Sequence, residues 1–571
     1  MKNIFAHFKN YRFTSLLAPT FKLLEALIDL FVPLVVSSLI DKGISASDVN
    51  YIIKMVIVMI ALAILGLIFS LLGQFFAAKS AVGVTSSLKV DLFSKVQRLS
   101  FNEIDKIGPS SLVTRMTSDM NQIQTGINMF LRLLLRSPFI VFGAAIMAFS
   151  IAFYPSLIFV GAILVLGSIV SLITIKTLPG YKKAQEQLDV VLNSTKENLT
   201  GVRVIRAFGN EDSETKAYNR YTSELKKQQI HINNISSLLN PVTYCLINIA
   251  ICGLIYISGM EVNVGSLTQG QVIALYNYMS QILVELIKLA NLIVTLTKSL
   301  ACAKRVDAIL QTKSSLIQGS EDDVNDEAYI NFSHVSVRYN GAQEDALSDI
   351  NFTVNKGETI GIIGGTGSGK STLVNLLSHF YDVTSGALYL EGKNINSYGL
   401  KELREKVGVV LQKASLFRGT IKENICFGKK DASEEEIKEA LELAQATNVV
   451  SSKSKGIYEE VEQNGRNFSG GQKQRLSIAR ALVKKPDILI FDDSSSALDY
   501  ATDLALRKAL SKLKDTTIFI VAQRSASLQS CDKIVVLDEG KMVGFDTHEN
   551  LLKENEVYQD IYYSQFKKEG K

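Results

Sequence analysis

The stretch Glu358-Thr-Ile-Gly-Ile-Ile-Gly364-Gly-Thr-Gly-Ser-Gly-Lys370-Ser-Thr372 starts apolar, breaks into glycines and closes on a lysine followed by two hydroxyls. Its first six residues predict a short buried strand, and a helical pattern follows Thr372. Gly364, Gly365, Thr366, Gly367, Ser368, Gly369, Lys370 and Ser371 therefore read as G-x-x-x-x-G-K-S in the strand, loop and helix setting that the motif requires. The glycines let successive backbone N–H groups turn toward phosphate oxygens at a helix N-terminus, where the dipole also favours an anion. Lys370 is expected to reach the β and γ phosphates of a nucleotide, and the Ser371 hydroxyl to bind Mg2+. A flexible Gly-rich turn is the alternative, and the flanking strand and helix argue against it.

Downstream, Ile488-Leu-Ile-Phe leads into Asp492-Asp493. Four apolar residues ending in an acid place a carboxylate at the end of a sheet strand, where it can hold a metal-bound water beside the phosphate loop. Between the two lies Asn467-Phe-Ser-Gly-Gly-Gln-Lys-Gln-Arg-Leu-Ser-Ile-Ala-Arg-Ala-Leu482. Ser469 suits the N-cap of a helix there. The segment also resembles the signature of ATP-binding cassette (ABC) proteins, with Phe468 where that family usually has Leu. The resemblance implies an ATPase using ATP and Mg2+. It also implies that Tyr339 stacks on adenine and that Ser371, Gln412 and Asp492 surround the metal. Ser496-Ala497-Leu498-Asp499 would form the loop joining two cassettes, and Ser469, Gly470, Gly471 and Gln472 would act in trans on the other cassette's nucleotide.

The 571 residues exceed a single core, and their averages of 47% hydrophobic and 20% charged hide a split, because the charges gather after about residue 300. Apolar runs near 16–40, 52–76, 130–153, 157–175, 238–260 and 272–296 approach the ~20 residues that a membrane-crossing helix needs. The N-terminal run has no small-residue cleavage site and reads as a retained helix, not a signal peptide. Basic residues crowd 79–115 and 176–227, whereas Tyr154-Pro155 and Glu261 to Ser266 carry none. Both termini are therefore expected on the cytoplasmic side of the plasma membrane. The two basic segments read as helices continuing ~37 Å beyond the membrane at 1.5 Å per residue, with turns near 101–112 and 201–211. The expected fold is an all-α six-helix transmembrane domain (1–311), a linker (312–327) and an α/β P-loop ABC nucleotide-binding domain (328–571). Six spans and one cassette resemble the half-exporter arrangement of the family. With a net charge of +5, from 61 basic and 56 acidic side chains, no nucleic-acid partner is expected. The five scattered cysteines read as free thiols.

Three positions besides Phe468 depart from the family pattern. Active members follow the strand-ending Asp with Glu, where this chain has Asp493. They carry Ala-His-Arg after a later strand, where it reads Ala522-Gln523-Arg524, and it has Gln463 where Glu is usual before the signature. Asp493 is one methylene short for orienting an attacking water. Gln523 can donate a hydrogen bond but carries no charge. The signature is intact. The pattern resembles the degenerate half of heterodimeric bacterial multidrug exporters, whose partner half-transporter would supply the Glu and the His. A regulatory subunit that gates a pore on ATP binding is the competing reading, and the intact signature argues against it. A soluble P-loop enzyme on an anchor would leave six spans unexplained.

Charges within spans default to functional candidates. Glu25 and Asp29 share one face of the first span, and Glu285 and Lys288 one face of the last. The functional expectation is a cavity whose acids accept amphipathic cations; the alternative is local pairing, above all of Glu285 with Lys288. Hydrophobic drugs and membrane lipids fit such walls equally well.

Overall fold

A computed structural model describes residues 2–316 and 328–566, so most of the expected linker, from 317 to 327, lies outside the described residues. By contacts the chain divides into two units: Met1–Gln97 with Ser110–Thr312, and Arg98–Pro109 with Lys313–Lys571.

The first unit is helical. Among the described residues six helices are long and apolar enough to cross a membrane: Phe8–Ile44, Val49–Gln97, Pro109–Ile151, Phe153–Thr200, Glu211–Val264 and Gln269–Gln311, here spans 1 to 6. The 49 residues of span 2 and 48 of span 4 are more than double the ~20 that a bilayer requires. Leu67 and Leu71 of span 2 are 59% exposed, whereas Ala77, Ala81, Val84 and Leu88 further along it are buried. Apolar side chains are thus left exposed along one part of that helix, while further along one face of it packs against protein. Spans 3 and 6 approach closely at Gly126, where a Cβ would fall 2.1 Å from Ser299 Oγ. Two boundaries differ from expectation. Spans 3 and 4 are parted by Ala152 alone, and Tyr154 and Pro155 sit in the first turn of span 4, where a proline costs no helical hydrogen bond. Glu261 to Val264 still belong to span 5, which ends on the left-handed Gly265.

Among the described residues the second unit is built on two larger sheets, with a small two-stranded one formed by Gly419–Thr420 and Glu460–Val461. One has strand order Lys541–Asp546, Lys533–Asp538, Thr359–Gly364, Thr517–Val521, Ile488–Asp492, Val407–Val410 and is parallel except for its first strand. Helices on both faces explain why Ile488–Asp492 is buried at every position. The other sheet is antiparallel, in the order Leu347–Val354, Ile330–Val337, Ser385–Leu390, Lys393–Asn394. Register decides where chemistry gathers. Val521 pairs with both Ile362 and Asp492, so Gly364, Asp492 and Val521 end neighbouring strands at one edge. Three loops from distant parts of the sequence leave that edge together.

Candidate functional site

The phosphate loop leaves its strand at Gly364 and enters the helix Lys370–Leu377. Gly369 has φ +92, and a Cβ there would lie 2.6 Å from the Ala346 carbonyl, so only glycine fits. Gly365, Thr366 and Gly367 are exposed, and a Cβ on Gly365 or Gly367 would meet nothing within 4 Å, which leaves an open cradle. The Lys370 ammonium donates to the carbonyls of Gly364 (2.9 Å) and Gly365 (2.5 Å) and to Ser368 Oγ (3.4 Å). Burial lowers its pKa, against the opposing pull of Asp493 and Asp492. A half-buried cation among neutral loop oxygens is suited to exchange them for an anion.

Ser371 Oγ donates to Asp492 Oδ1 at 2.8 Å, which brings the two expected metal-side groups together. Burial raises the Asp492 pKa, and the Ser371 bond holds it back. A cation at this point would relieve that buried carboxylate, so the pair fits Mg2+. Asp493 follows at φ +46, a left-handed conformation that Asp tolerates better than most residues, with its N–H bonded to the Val521 carbonyl. The turn brings its carboxylate under two amides. Gln412 Nε2 lies 3.2 Å and Gln523 Nε2 3.0 Å from Asp493 Oδ2, so three residues singled out from sequence converge on one oxygen.

Tyr339 is half-buried, its hydroxyl 3.0 Å from Thr372 Oγ1 and its ring edge-on to Tyr381. The Tyr381 hydroxyl donates to Asp105 at 3.0 Å, and Phe380 packs on Phe101 with centroids 4.7 Å apart. Phe101 and Asp105 belong to the short helix Phe101–Ile107, the core of the 98–109 segment. Glu103 on that helix accepts from the N–H and hydroxyl of Ser100 and from the N–H of Ser315. Burial would raise its pKa, but these donors outweigh it and hold the carboxyl below its usual range.

The signature forms a reciprocal cap: Ser469 N–H donates to Gln472 Oε1, and Gln472 N–H to Ser469 Oγ, at the head of the helix Gly470–Leu482. Phe468 just before it is 5% exposed in the core, with Lys453 over its ring. A Cβ on Gly471 would lie 3.2 Å from the Ala497 carbonyl, so the signature borders the turn Ser494–Ala497 that contains Ser496. Leu498 is buried, and Asp499 caps the helix Tyr500–Leu510 through Thr502. Gln463 is exposed in a short turn.

Sequence reasoning missed one contributor to this site. Gln565, near the end of the helix Glu556–Gln565, accepts from the Ser525 N–H and hydroxyl and donates to the Gln523 carbonyl at 2.9 Å. A glutamine in a polar tail carries no local signal for this role.

It also missed Arg136 and Lys22 in the first unit. Arg136 lies 2.9 Å from Asp29, 3.6 Å from Glu25 and 2.6 Å from Glu285. Lys22 pairs with Glu25 at 2.5 Å, and Lys288 with Glu285 at 2.8 Å. All four expected cavity residues are thus joined through Arg136. Both missed residues stand inside expected apolar runs, so counting every charge within a run, rather than paired spacings alone, would have found them.

Residues 15–286 match the family described as the ABC transporter transmembrane region, and residues 347–496 the family described as ABC transporter. The ABC transporter ATP-binding protein YfiB of Bacillus subtilis (strain 168) is 33% identical over 572 residues, spanning 100% of this chain and 99% of its own length. This chain belongs to the ABC transporter family. An ATP-dependent lipid A-core flippase of Vibrio vulnificus (strain CMCP6) is 26% identical over 99% of the ABC chain and 97% of its own length. A solved bacterial Atm1-family ABC exporter with ATP bound shares the fold, with a TM-score of 0.84 at 22% identity over 98% of this chain and 99% of that one. The ABC chain is therefore a multi-pass membrane protein of half-transporter arrangement, with six apolar helices followed by an ATP-binding ATPase domain.

Proposed function

We propose that this chain is one half of an ATP-driven exporter that acts as a heterodimer, its own nucleotide site degenerate and its signature completing the competent site of a partner half-transporter. The observation that carries this reading is the pair of glutamine amides on Asp493 Oδ2. The Asp493 carboxylate oxygen is already engaged by two N–H donors, and Asp493 is a methylene shorter than Glu, so it is poorly placed to orient an attacking water. Gln523 is neutral and already engaged with Asp493, so it brings no charge to a developing oxyanion. Losing one well-placed group of this kind costs on the order of 10² to 10³ in rate. The signature, by contrast, keeps Ser469, Gly470, Gly471 and Gln472 at the head of its helix.

In this reading Gly364 to Thr372 bind the phosphates, Tyr339 packs on adenine, and Ser371, Asp492 and Gln412 surround Mg2+. The metal, when bound, neutralises phosphate charge. Ser496 to Asp499 join the two cassettes. The transmembrane domain runs from 1 to 311 and the cassette from 328 to 571, joined by 312–327, with the cassette and both termini cytoplasmic. The cargo is a hydrophobic or amphipathic compound, as in multidrug efflux. A lipid cargo is the second reading, favoured by the similarity along the full length to a lipid A-core flippase.

The test is to purify the tagged chain from its native membrane and identify what accompanies it. A second half-transporter with Glu and His at the positions of Asp493 and Gln523 is expected. A homodimer that hydrolyses ATP at full family rates would refute the asymmetric arrangement.

A further inference from the structure

A cavity of about 460 Å3 opens between spans 1, 3 and 6, a volume suited to a small ligand. The charges on its wall are Asp29, Arg136 and Glu285, and they compensate one another: Arg136 lies 2.9 Å from Asp29 and 2.6 Å from Glu285. Lys288, behind the wall, holds Glu285 as well, at 2.8 Å. A cationic head group would find Asp29 taken, and would leave an uncancelled charge in a poorly solvated site. An anionic one would compete with both acids for Arg136. Neither sign is favoured.

What remains of the polar wall is neutral: Asn277, Ser280 and Gln281, on one face of span 6 at i, i+3 and i+4. Gln281 is oriented by span 1. Pro33 has no N–H, so the Asp29 carbonyl one turn before it loses its helical donor, and Gln281 Nε2 supplies one at 3.0 Å. With its nitrogen so committed, Gln281 Oε1 is turned the other way, where it is buried and has no hydrogen-bond partner among the described residues. A buried acceptor without a donor is costly, and a hydroxyl entering beside it removes that cost. Ser280 donates its own proton to the Tyr276 carbonyl at 3.1 Å, which leaves its oxygen to accept. Asn277 adds an amide that both donates and accepts. Hydroxyls on a neutral head group match this set, since each donates to an acceptor and accepts from an amide N–H. Val32, Pro33, Ile140 and Val284 line the rest of the cavity and suit an apolar tail. We propose that this cavity selects amphiphiles whose head group is uncharged and rich in hydroxyls, as in an alkyl glycoside. The proposal rests on the exporter reading and narrows its cargo.

The test uses the chain with whatever partner co-purifies, in nanodiscs of phosphatidylcholine, whose head group carries no hydroxyl. Radiolabelled single-chain amphiphiles of equal tail length are compared below their micelle concentrations: a glucoside, its tetra-O-methyl ether, a trimethylammonium and a monoalkyl phosphate. The wild type is expected to bind the glucoside about tenfold more tightly than any of the others, a difference of about 1.4 kcal/mol. Asn277→Leu and Gln281→Leu should each bring the glucoside down toward its methyl ether, with binding of the ether little changed. If a glucosyl diacylglycerol placed in the disc displaces the glucoside probe, the natural ligand is a membrane glycolipid; if it does not, a free amphiphile. Either result supports the head-group class. Equal wild-type binding of the glucoside and its methyl ether would overturn it, as would tightest binding of either charged probe, and neither measurement depends on a variant folding. A preference kept in both folded variants would overturn it too, because the hydroxyls would then be recognised elsewhere. Partner identity and basal ATPase rate, taken from the same sample, report separately on the exporter reading.

Discussion

Asp493 is held from two sides, by Gln412 and Gln523, and a carboxylate so held is fixed in place. Each amide bond contributes about 1 kcal/mol to that posture. Replacing Asp493 by Glu extends the carboxylate, and replacing Gln523 by His removes one amide while restoring a group able to carry charge. Asp493→Glu with Gln523→His is accordingly expected to raise ATP hydrolysis by the chain expressed alone, by up to ~10² to 10³, and by more than either single change. The check is the ATPase rate per folded cassette at matched ATP occupancy. No gain despite normal ATP binding would locate the defect elsewhere, with Gln463 the next candidate. The phosphate loop and Asp492 were legible in the sequence because their chemistry is local, a run of consecutive residues with one geometric solution. Arg136 was legible only as a charge in an apolar run; its pairing was not, since its partners Asp29 and Glu285 are 107 and 149 positions away and no periodicity connects them.

Elements, rather than single residues, bring the site together. The parallel register of Thr359–Gly364, Thr517–Val521 and Ile488–Asp492 aligns three loop exits, and sequence patterning could identify each strand without giving their order. The helix Glu556–Gln565 adds a brace behind the Gln523 loop. In a cassette carrying the Asp493→Glu and Gln523→His changes, Gln565→Ala should lower kcat by about tenfold and leave the KM for ATP unchanged. The brace sets the aim of residue 523 rather than nucleotide affinity. Gln565→Glu keeps the acceptor for Ser525 and should recover part of the loss. Equal effects on kcat and on thermal stability would reduce the brace to a packing contact. The signature helix is tested in the assembled complex. Ser469→Arg should remove most hydrolysis, because the exposed Ser469 hydroxyl, whose oxygen caps the Gln472 N–H, would give way to a bulky charge where a partner's nucleotide is proposed to bind. An unchanged rate would mean that the signature is idle.

At the scale of the whole molecule, the second unit is not a continuous piece of sequence. Arg98–Pro109 lies in it, although the chain on both sides belongs to the first unit. Phe101 covers Phe380, whose opposite neighbour is the Arg404 guanidinium at 5.6 Å, and Asp105 satisfies Tyr381. The Tyr381 ring in turn abuts Tyr339, whose hydroxyl touches Thr372 of the phosphate helix. A change at Asp105 is thus three contacts from the nucleotide loop. Membrane spans and cassette could be told apart from sequence by composition. The twelve residues of 98–109 mix polar side chains with Leu99, Phe101, Ile104 and Ile107, and read from the sequence as a turn reaching toward the cytoplasmic domain without showing which contacts it makes there.

The chain is in effect stitched through its second unit twice, and a cut at Lys313 severs only one of the threads. The fragment 313–571 would emerge with Phe380 bare and Tyr381 lacking its acceptor. Phe101 is itself 42% exposed, so the lost cover is worth about 1 kcal/mol, about half of a buried aromatic, or roughly 2 to 4 °C in Tm for a unit of this size. A synthetic peptide of residues 98–109 should restore that margin in a saturable way, and the same peptide with Phe101→Ala should not. A melting temperature indifferent to both peptides would show that the stitch carries no tension. If the stitch holds, any excised cassette of this chain is a structure with a missing patch, and its ATPase rate belongs to that incomplete object.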